Sequence, residues 1–278
     1  LRSPRTQNET SNCTRASQPP PPPPPSATHN MTPESQLRIH SIETLGTHDG
    51  PGLRMIVFTQ GCHMRCLYCH NPDTLDLAAG RLIPLDEILQ RAIRQKPYFG
   101  ARGGVTISGG EPTLHRKTLL PLFQQLHANG IHTCLDTNGL ILDDELRALY
   151  AETDLVLLDI KHIDDAQHRR LTGTSNSTPL AVAAHRESTG KPMWLRYVLV
   201  PGWTDQPDAL ERWASHFSAY KTVERVEILP YHRLGAHKWA HLGLPYQLTD
   251  TLPPPPELKQ RALEIFSARL PHTKVVMK

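Results

Sequence analysis

The chain has 278 residues and a formal net charge of +3, from 30 Lys and Arg against 27 Asp and Glu. No run approaches the roughly 18 apolar residues of a membrane-spanning helix, and so small a charge excess does not point to nucleic acid as the main partner. With 38% hydrophobic residues it can bury a sizeable core, enough for one large domain or two small ones.

Residues 1–36 stand apart. They are rich in Ser, Thr, Asn and Gln, carry the proline run Pro19 to Pro25, and show neither helical nor strand periodicity. Such a segment buries too little apolar surface to offset its ordering entropy. It reads as a disordered, low-complexity tail in which the prolines favour polyproline II; a ligand for a proline-recognising domain is the functional alternative. No apolar stretch here reads as a secretory leader. The chain begins with Leu1, and Met31 lies six residues before the first strand pattern, so the native start is expected near Met31. The folded domain is expected over residues 37–278.

A first strand pattern, Leu37 to Thr44, precedes a glycine-rich turn from Gly46 to Gly52. Six strand signals follow: Met55–Gln60, Val105–Ser108, His132–Asp136, Leu155–Ile160, Trp194–Val200 and Arg225–Leu229. Most are Leu-rich or β-branched without clean alternation, as expected for strands covered on both faces. Helix patterns lie between and after them at Leu85–Arg94, Leu119–Ala128, Asp143–Tyr150, Pro179–Glu187, Ala209–Ala219 and Leu258–Leu270. A second proline run, Pro253 to Pro256, reads as a stiff connector that starts the last of these. Repeated strand–helix alternation implies parallel strands with right-handed crossovers. Six units predict an α/β fold of the partial (β/α)6, TIM-like barrel type, short of a closed eight-unit barrel.

The unusual residues fall at the C-terminal ends of these strands, the rim where parallel α/β folds bind ligands. They are the string Gly61 to Asn71, Ser108-Gly109-Gly110-Glu111-Pro112, Asp136-Thr137-Asn138-Gly139, Asp159-Ile160-Lys161, Arg196 with Pro201-Gly202, and Pro230-Tyr231-His232. Any single loop could be an ordinary turn. Six together point to one site.

The five cysteines are Cys13, Cys62, Cys66, Cys69 and Cys134. An odd number with three in one loop argues against a disulfide framework and for a reducing cytoplasm, with the cluster serving a metal. Three readings of that loop compete. Zinc would need a fourth ligand such as His63 or His70, yet the second short ligand cluster usual for such sites is missing. Cys66-x-x-Cys69-His70 matches the haem attachment pattern, which goes with export. A 4Fe–4S cluster with three protein ligands would leave one iron open to a small molecule. Cys134 sits alone in a strand and reads as a small buried hydrophobe.

The Cys62-x3-Cys66-x2-Cys69 spacing, with Tyr68 before the last cysteine, resembles the signature of the radical S-adenosylmethionine superfamily. Gly109-Gly110-Glu111-Pro112 resembles its second motif. Residues 37–72 and the blocks His132–Gly139, Asp154–Lys161, Trp194–Trp203 and Leu229–Trp239 are similar to pyruvate formate-lyase activating enzymes, so the resemblance covers nearly all of the folded part. It implies a cytoplasmic enzyme whose Cys62, Cys66 and Cys69 hold one 4Fe–4S cluster. The open iron chelates S-adenosylmethionine. Reductive cleavage then yields a 5′-deoxyadenosyl radical that takes a Cα hydrogen from one glycine of pyruvate formate-lyase under anaerobic conditions. The difficult chemistry is the cofactor's, and no catalytic side chain is implied.

The same resemblance implies the remaining roles. Tyr68 and His70, flanking the cofactor-binding ligand Cys69, lie along the adenine. Gly109 and Gly110 meet the methionyl amine, with glycine backbone free to approach, and Glu111 of the same turn binds the cofactor with them. Asp159, Ile160 and Lys161 contact the cofactor, Lys161 as a point charge for its carboxylate. Asp136, Thr137 and Asp159 hold a monovalent cation. His232 touches the nucleoside, and Asp49 and Arg196 lie near the glycyl peptide. Asp136 and Asp159 could instead cap turns, and Arg196 could simply pair with an acid. Flavodoxin or ferredoxin is the implied electron donor, with neither nucleic acid nor membrane as partner. The chain carries no further cysteine cluster, unlike activases with an inserted ferredoxin-like segment. Two alternatives remain: activation of a different glycyl-radical enzyme, and a zinc-stapled binding module.

Overall fold

The computed structural model describes residues 35–278. The expected tail, its proline run, Cys13 and Met31 therefore fall outside the described residues, apart from Ser35 and Gln36 at the tail's end. Strands β1 (Gln36–Gly46), β2 (Arg54–Thr59), β3 (Arg81–Pro84), β4 (Gly104–Gly109), β5 (His132–Thr137), β6 (Leu155–Asp159), β7 (Met193–Leu199), β8 (Val223–Pro230) and β9 (Lys274–Met277) form one sheet. Its order is β3-β1-β2-β4-β5-β6-β7-β8-β9. From β2 through β9 every neighbouring pair is parallel, and β1 runs antiparallel to both β2 and β3.

The six strands read from the sequence are β2, β4, β5, β6, β7 and β8, and the partial-barrel expectation holds. The helices are α1 (Leu85–Phe99), α2 (Arg116–Ala128), α3 (Asp144–Ala151), α4 (Asp165–Thr172), α5 (Ser177–Ser188), α6 (Pro207–Phe217), α7 (Ala236–His241) and α8 (Pro256–Arg269). Helix α1 runs through Pro97 to Phe99, past the expected end at Arg94, because Phe99 is buried and carries the last turn into the core. Helix α3 starts where Asp143 accepts from the Leu146 amide, an N-cap bond. Helix α8 begins on the last residue of the second proline run, where fixed φ suits the first turn.

Both faces of the central strands are buried. Outward residues such as Ile107, Leu135, Val156, Leu158, Leu195 and Tyr197 join one continuous core under the helices. Inward residues Cys134, Leu155, Leu157 and Trp194 form a separate apolar layer inside the barrel. Cys134 is thus a buried lumen residue, as expected. Above that layer the inward positions turn polar: Thr106, Ser108, Asp136, Asp159, Arg196 and Glu227. The Gly46–Gly52 turn reaches these strands. Asp49 pairs with Arg196 of β7, and its carbonyl accepts from Thr106 of β4. Arg54, fully buried, donates to Thr106 and to the carbonyls of Pro51 and Val105, and so fixes the turn's exit.

Candidate active site

The loop after β2 carries Cys62, Cys66 and Cys69, and its backbone is held from several sides. The Arg65 and Leu67 amides donate to Thr172 and Leu171 at the end of α4. Arg65 donates to the Cys62 carbonyl at 2.7 Å. The Trp239 indole of α7 donates to the Cys69 carbonyl at 2.9 Å, and Lys238 reaches Asn71 and Asp73. Gln60 ties the loop's return by donating to the carbonyls of Asp73 and Asp76. A loop fixed this way presents its side chains rather than flexing with them.

The next loop packs against it backbone to backbone. The Gly110 amide donates to the Thr59 carbonyl and the Glu111 amide to the Gly61 carbonyl. A Cβ on Gly110 would stand 2.2 Å from the Gly61 oxygen, and one on Gly109, at φ +111°, would stand 2.3 Å from the Thr59 nitrogen. The two glycines are therefore required first by backbone they touch, Gly109 by the end of β2 and Gly110 by the cysteine loop, and their free approach to a ligand comes with that.

These loops enclose a cavity of about 360 Å³. Its lining includes Cys62, Cys66, Tyr68, Cys69, His70, Gly109, Gly110, Asp136, Thr137, Asp159, Lys161, Arg196, Asp49 and His232. Of the residues expected from the sequence, all but Glu111 and Ile160 meet there. The Ile160 side chain lies in the outer core, and its carbonyl accepts from Trp213 of α6. The Glu111 carboxylate turns inward. It accepts from the Thr113 amide and hydroxyl, the Thr137 hydroxyl and the Asn138 amide.

Electrostatics divide the cavity. At one wall Lys161 donates to Asp159 at 2.9 Å and lies 5.7 Å from the centre of the Tyr68 ring. Burial alone would depress its ammonium, but Asp159, Tyr68 and Cys66 outweigh burial and hold its pKa well above the ordinary lysine value. In the lumen, Arg196 meets Asp136 at 3.0 Å, Glu227 at 3.2 Å and Asp49 at 3.3 Å, and donates to the His48 carbonyl. Burial, followed by Asp159 and Asp49, pushes the Asp136 carboxyl upward against the pull of Arg196. Asp49, Asp136 and Asp159 line the cavity with Lys161 and Arg196, so the acids add to what burial does. On the far wall the His70 and His232 rings stack at 4.1 Å with planes 8° apart. His70 Nε2 lies 2.9 Å from the His232 carbonyl and donates to it. The stack offers an edge of flat surface beside the cysteine loop.

The donor set fits an iron–sulfur cluster. All three thiols are free and open on the same cavity. Burial raises all three, Cys62 and Cys69 to about 12, so a cationic metal centre must displace their protons. Among the described residues no three His, Cys, Asp or Glu side chains converge closely enough to share one metal ion. A zinc staple needs that convergence; a cluster seating each thiolate on a different iron does not. Residues the sequence left unassigned also line the cavity, notably Ser108, Asn71 and Asn138. Asn138 stood in the strand-end string beside Asp136 and Thr137. Lys238 and Trp239 lie in the block Leu229–Trp239 that carries the resemblance, but their part in holding the cysteine loop has no signal in the sequence.

A partial barrel with three cysteines on its first rim loop and a Gly-Gly-Glu turn on its second defines a class. The Radical SAM superfamily model matches residues 56–214. Pyruvate formate-lyase-activating enzyme of Staphylococcus epidermidis is 46% identical over 245 residues, covering 84% of this chain and 98% of that one. Its Staphylococcus aureus counterpart is 46% identical over 243 residues, covering 84% and 97%. Among solved structures, a domain of pyruvate-formate lyase-activating enzyme from Bacteroides vulgatus superposes with a TM-score of 0.54 at 22% identity, covering 63% of this chain and 99% of that one. Streptococcus suis SuiB bound to its precursor peptide gives 0.63 at 16% identity over 80% of this chain and 48% of that one. At those identities the two superpositions speak for the fold alone. The chain belongs to the radical SAM superfamily and, within it, to the pyruvate formate-lyase-activating enzymes.

Proposed function

We propose that this chain activates pyruvate formate-lyase by placing a glycyl radical on it, with residues 37–278 as its radical SAM partial-barrel domain. The observation that carries the reading is the convergence of Cys62, Cys66 and Cys69 with Gly109, Gly110, Lys161 and His232 on one cavity. Cys62, Cys66 and Cys69 would hold a 4Fe–4S cluster with one iron open to S-adenosylmethionine. When bound, the pair supplies the one-electron chemistry that ends in removal of a glycine Cα hydrogen.

The chain's own residues do the placing. Lys161, protonated and braced by Asp159, sets a positive point where a carboxylate can sit. His70 and His232 give a flat wall for a planar base. Tyr68, buried against Leu171, Val200 and Tyr231, closes the cavity on another side and excludes water. Asp49 and Arg196, joined across the lumen, face the same space and would meet the glycyl peptide. Asp136, Thr137 and Asp159 would seat a monovalent cation, which the excess of acids over bases in the lining favours. A low-potential one-electron carrier, flavodoxin or ferredoxin, would reduce the cluster. The exposure of an open iron to oxygen suits a reducing cytoplasm. Among the described residues no helix is long and apolar enough to cross a membrane.

The test is anaerobic reconstitution with iron and sulfide, then incubation with S-adenosylmethionine, reductant and pyruvate formate-lyase. About four irons per chain are expected, the number in one such cluster. A glycyl radical seen by electron paramagnetic resonance should rise in step with 5′-deoxyadenosine. A full cluster and 5′-deoxyadenosine without the glycyl signal would assign the activity to another partner.

A further inference from the structure

The Glu111 carboxylate spends all its contacts on protein. One oxygen takes the Thr113 amide at 3.0 Å, the Thr113 hydroxyl at 2.5 Å and the Thr137 hydroxyl at 2.6 Å. The other takes the Asn138 amide at 2.8 Å. Glu111 is 1% exposed, so no water competes for these bonds. Asn138 is then fixed twice more: its side-chain oxygen accepts from the Leu140 amide at 3.0 Å, and it is itself buried. With its backbone amide and side-chain oxygen both committed, the side-chain NH2 is aimed at the Cys62 sulfur at 3.7 Å. That separation suits an N–H to sulfur contact, because sulfur is larger than oxygen.

We propose that Asn138 tunes the cluster by hydrogen-bonding the Cys62 sulfur, and that Glu111 is the positioning residue that holds Asn138 in place. The inference rests on Cys62 being a cluster ligand. Electron gain by the cluster adds negative charge to its sulfurs. A donor aimed at one of them favours the reduced form, as hydrogen bonds to cluster sulfurs do in general. Glu111 reaches the metal site without touching it: its bond pattern joins the second rim loop to the third, and the third carries the donor. A residue of the Gly-Gly-Glu turn thereby serves the cluster rather than the organic cofactor.

The experiment is a redox titration of the reconstituted full chain, followed by electron paramagnetic resonance, with iron content measured in parallel. Asn138→Leu removes the donor and should lower the midpoint potential. At a fixed ambient potential the reduced-to-oxidised ratio should fall about fivefold, the weight of roughly one ordinary hydrogen bond. Asn138→Asp keeps the Leu140 contact, removes the donor and adds a charge, so it should lower the ratio further; it gives the answer should the leucine variant fail to take up iron. Glu111→Gln keeps the shape but sets an amide NH2 against a donor, whether at Asn138 or at Thr113. It also removes a negative charge acting on Cys62, which alone raises the potential, so the relay is read against Asn138→Leu: if Glu111 acts through Asn138, the rise should be larger in the Asn138→Leu background than in the unaltered chain, while Thr113→Val should shift neither. An unchanged midpoint in an Asn138 variant with a full cluster overturns the tuning role. An equal shift from Glu111→Gln in both backgrounds overturns the relay. Absence of iron from the unaltered chain would instead sink the reading of the cysteines.

Discussion

On β7 the outward residues Leu195, Tyr197 and Leu199 sit in the main core, where Tyr197 meets the rings of Trp213 at 5.5 Å and Phe266 at 5.4 Å. The inward residues of the same strand are Trp194, Arg196 and Val198, and two of them line the cavity. Outside, side chains of α6 and α8 interlock with the strand and nothing ionises. Inside, one guanidinium answers three acids. The same backbone thus carries a layer whose stability comes from packing and a layer whose arrangement comes from charge. Disturbing the two should leave different signatures.

The largest effect lies inside, at the rim. Cys62→Ala, Cys66→Ala and Cys69→Ala should each abolish iron uptake, while Cys134→Ala, deep in the lumen, should retain it; iron and sulfide analysis decides. Next come two substitutions of similar cost and opposite character. Trp213→Ala should lose about 3–5 kcal/mol by denaturant unfolding at every pH, because it leaves a cavity beside Phe266 and Tyr197. Arg196→Met should lose about 3–5 kcal/mol at neutral pH, because buried acids are left without their partner. Its loss should shrink on acidification, as those acids take up protons. A pH-independent cost for Arg196→Met would show that the lumen is held by packing after all.

A smaller effect sharpens the same contrast. The folded-state pKa of Asp136 is raised, so its contribution to stability is full below the ordinary carboxylate range and is lost as pH rises toward neutral. Asp136→Asn should flatten that part of the stability–pH curve. The smallest is Trp239→Phe, which removes one donor to the Cys69 carbonyl and should cost about 1 kcal/mol. Hydrogen exchange at the cysteine loop should read it as faster local opening.

Much of this is legible in the amino-acid sequence. The six central strands are buried on both faces and mostly apolar, so their runs stand out against the polar helices and turns. The cysteine spacing and the Gly-Gly-Glu turn are local in sequence, and so are their consequences. The elements without a local signal are those whose reason lies elsewhere in the chain. Strand β9 is a four-residue edge that exists because β8 pairs with it. Helix α7 has six residues and buries only Trp239, and its anchors are Cys69, Asn71 and Asp73. Glu111 shows the limit most clearly. Its place in a ligand-binding motif suggested a cofactor contact, and nothing in its neighbours says that its carboxylate folds back onto Thr137 and Asn138.

The anchoring of the cysteine loop by α7 has a consequence in time rather than space. Cys69 leaves the ribosome 170 residues ahead of Trp239, whose indole it needs. At about 5–20 residues per second that is roughly 10–30 s. For that interval three thiols sit on an unfinished barrel, lacking the partners that hold them. Metal delivery that came too early would meet a loop free to bind in the wrong register. The order of synthesis therefore favours iron insertion after the chain is complete, onto a folded cavity rather than a nascent one.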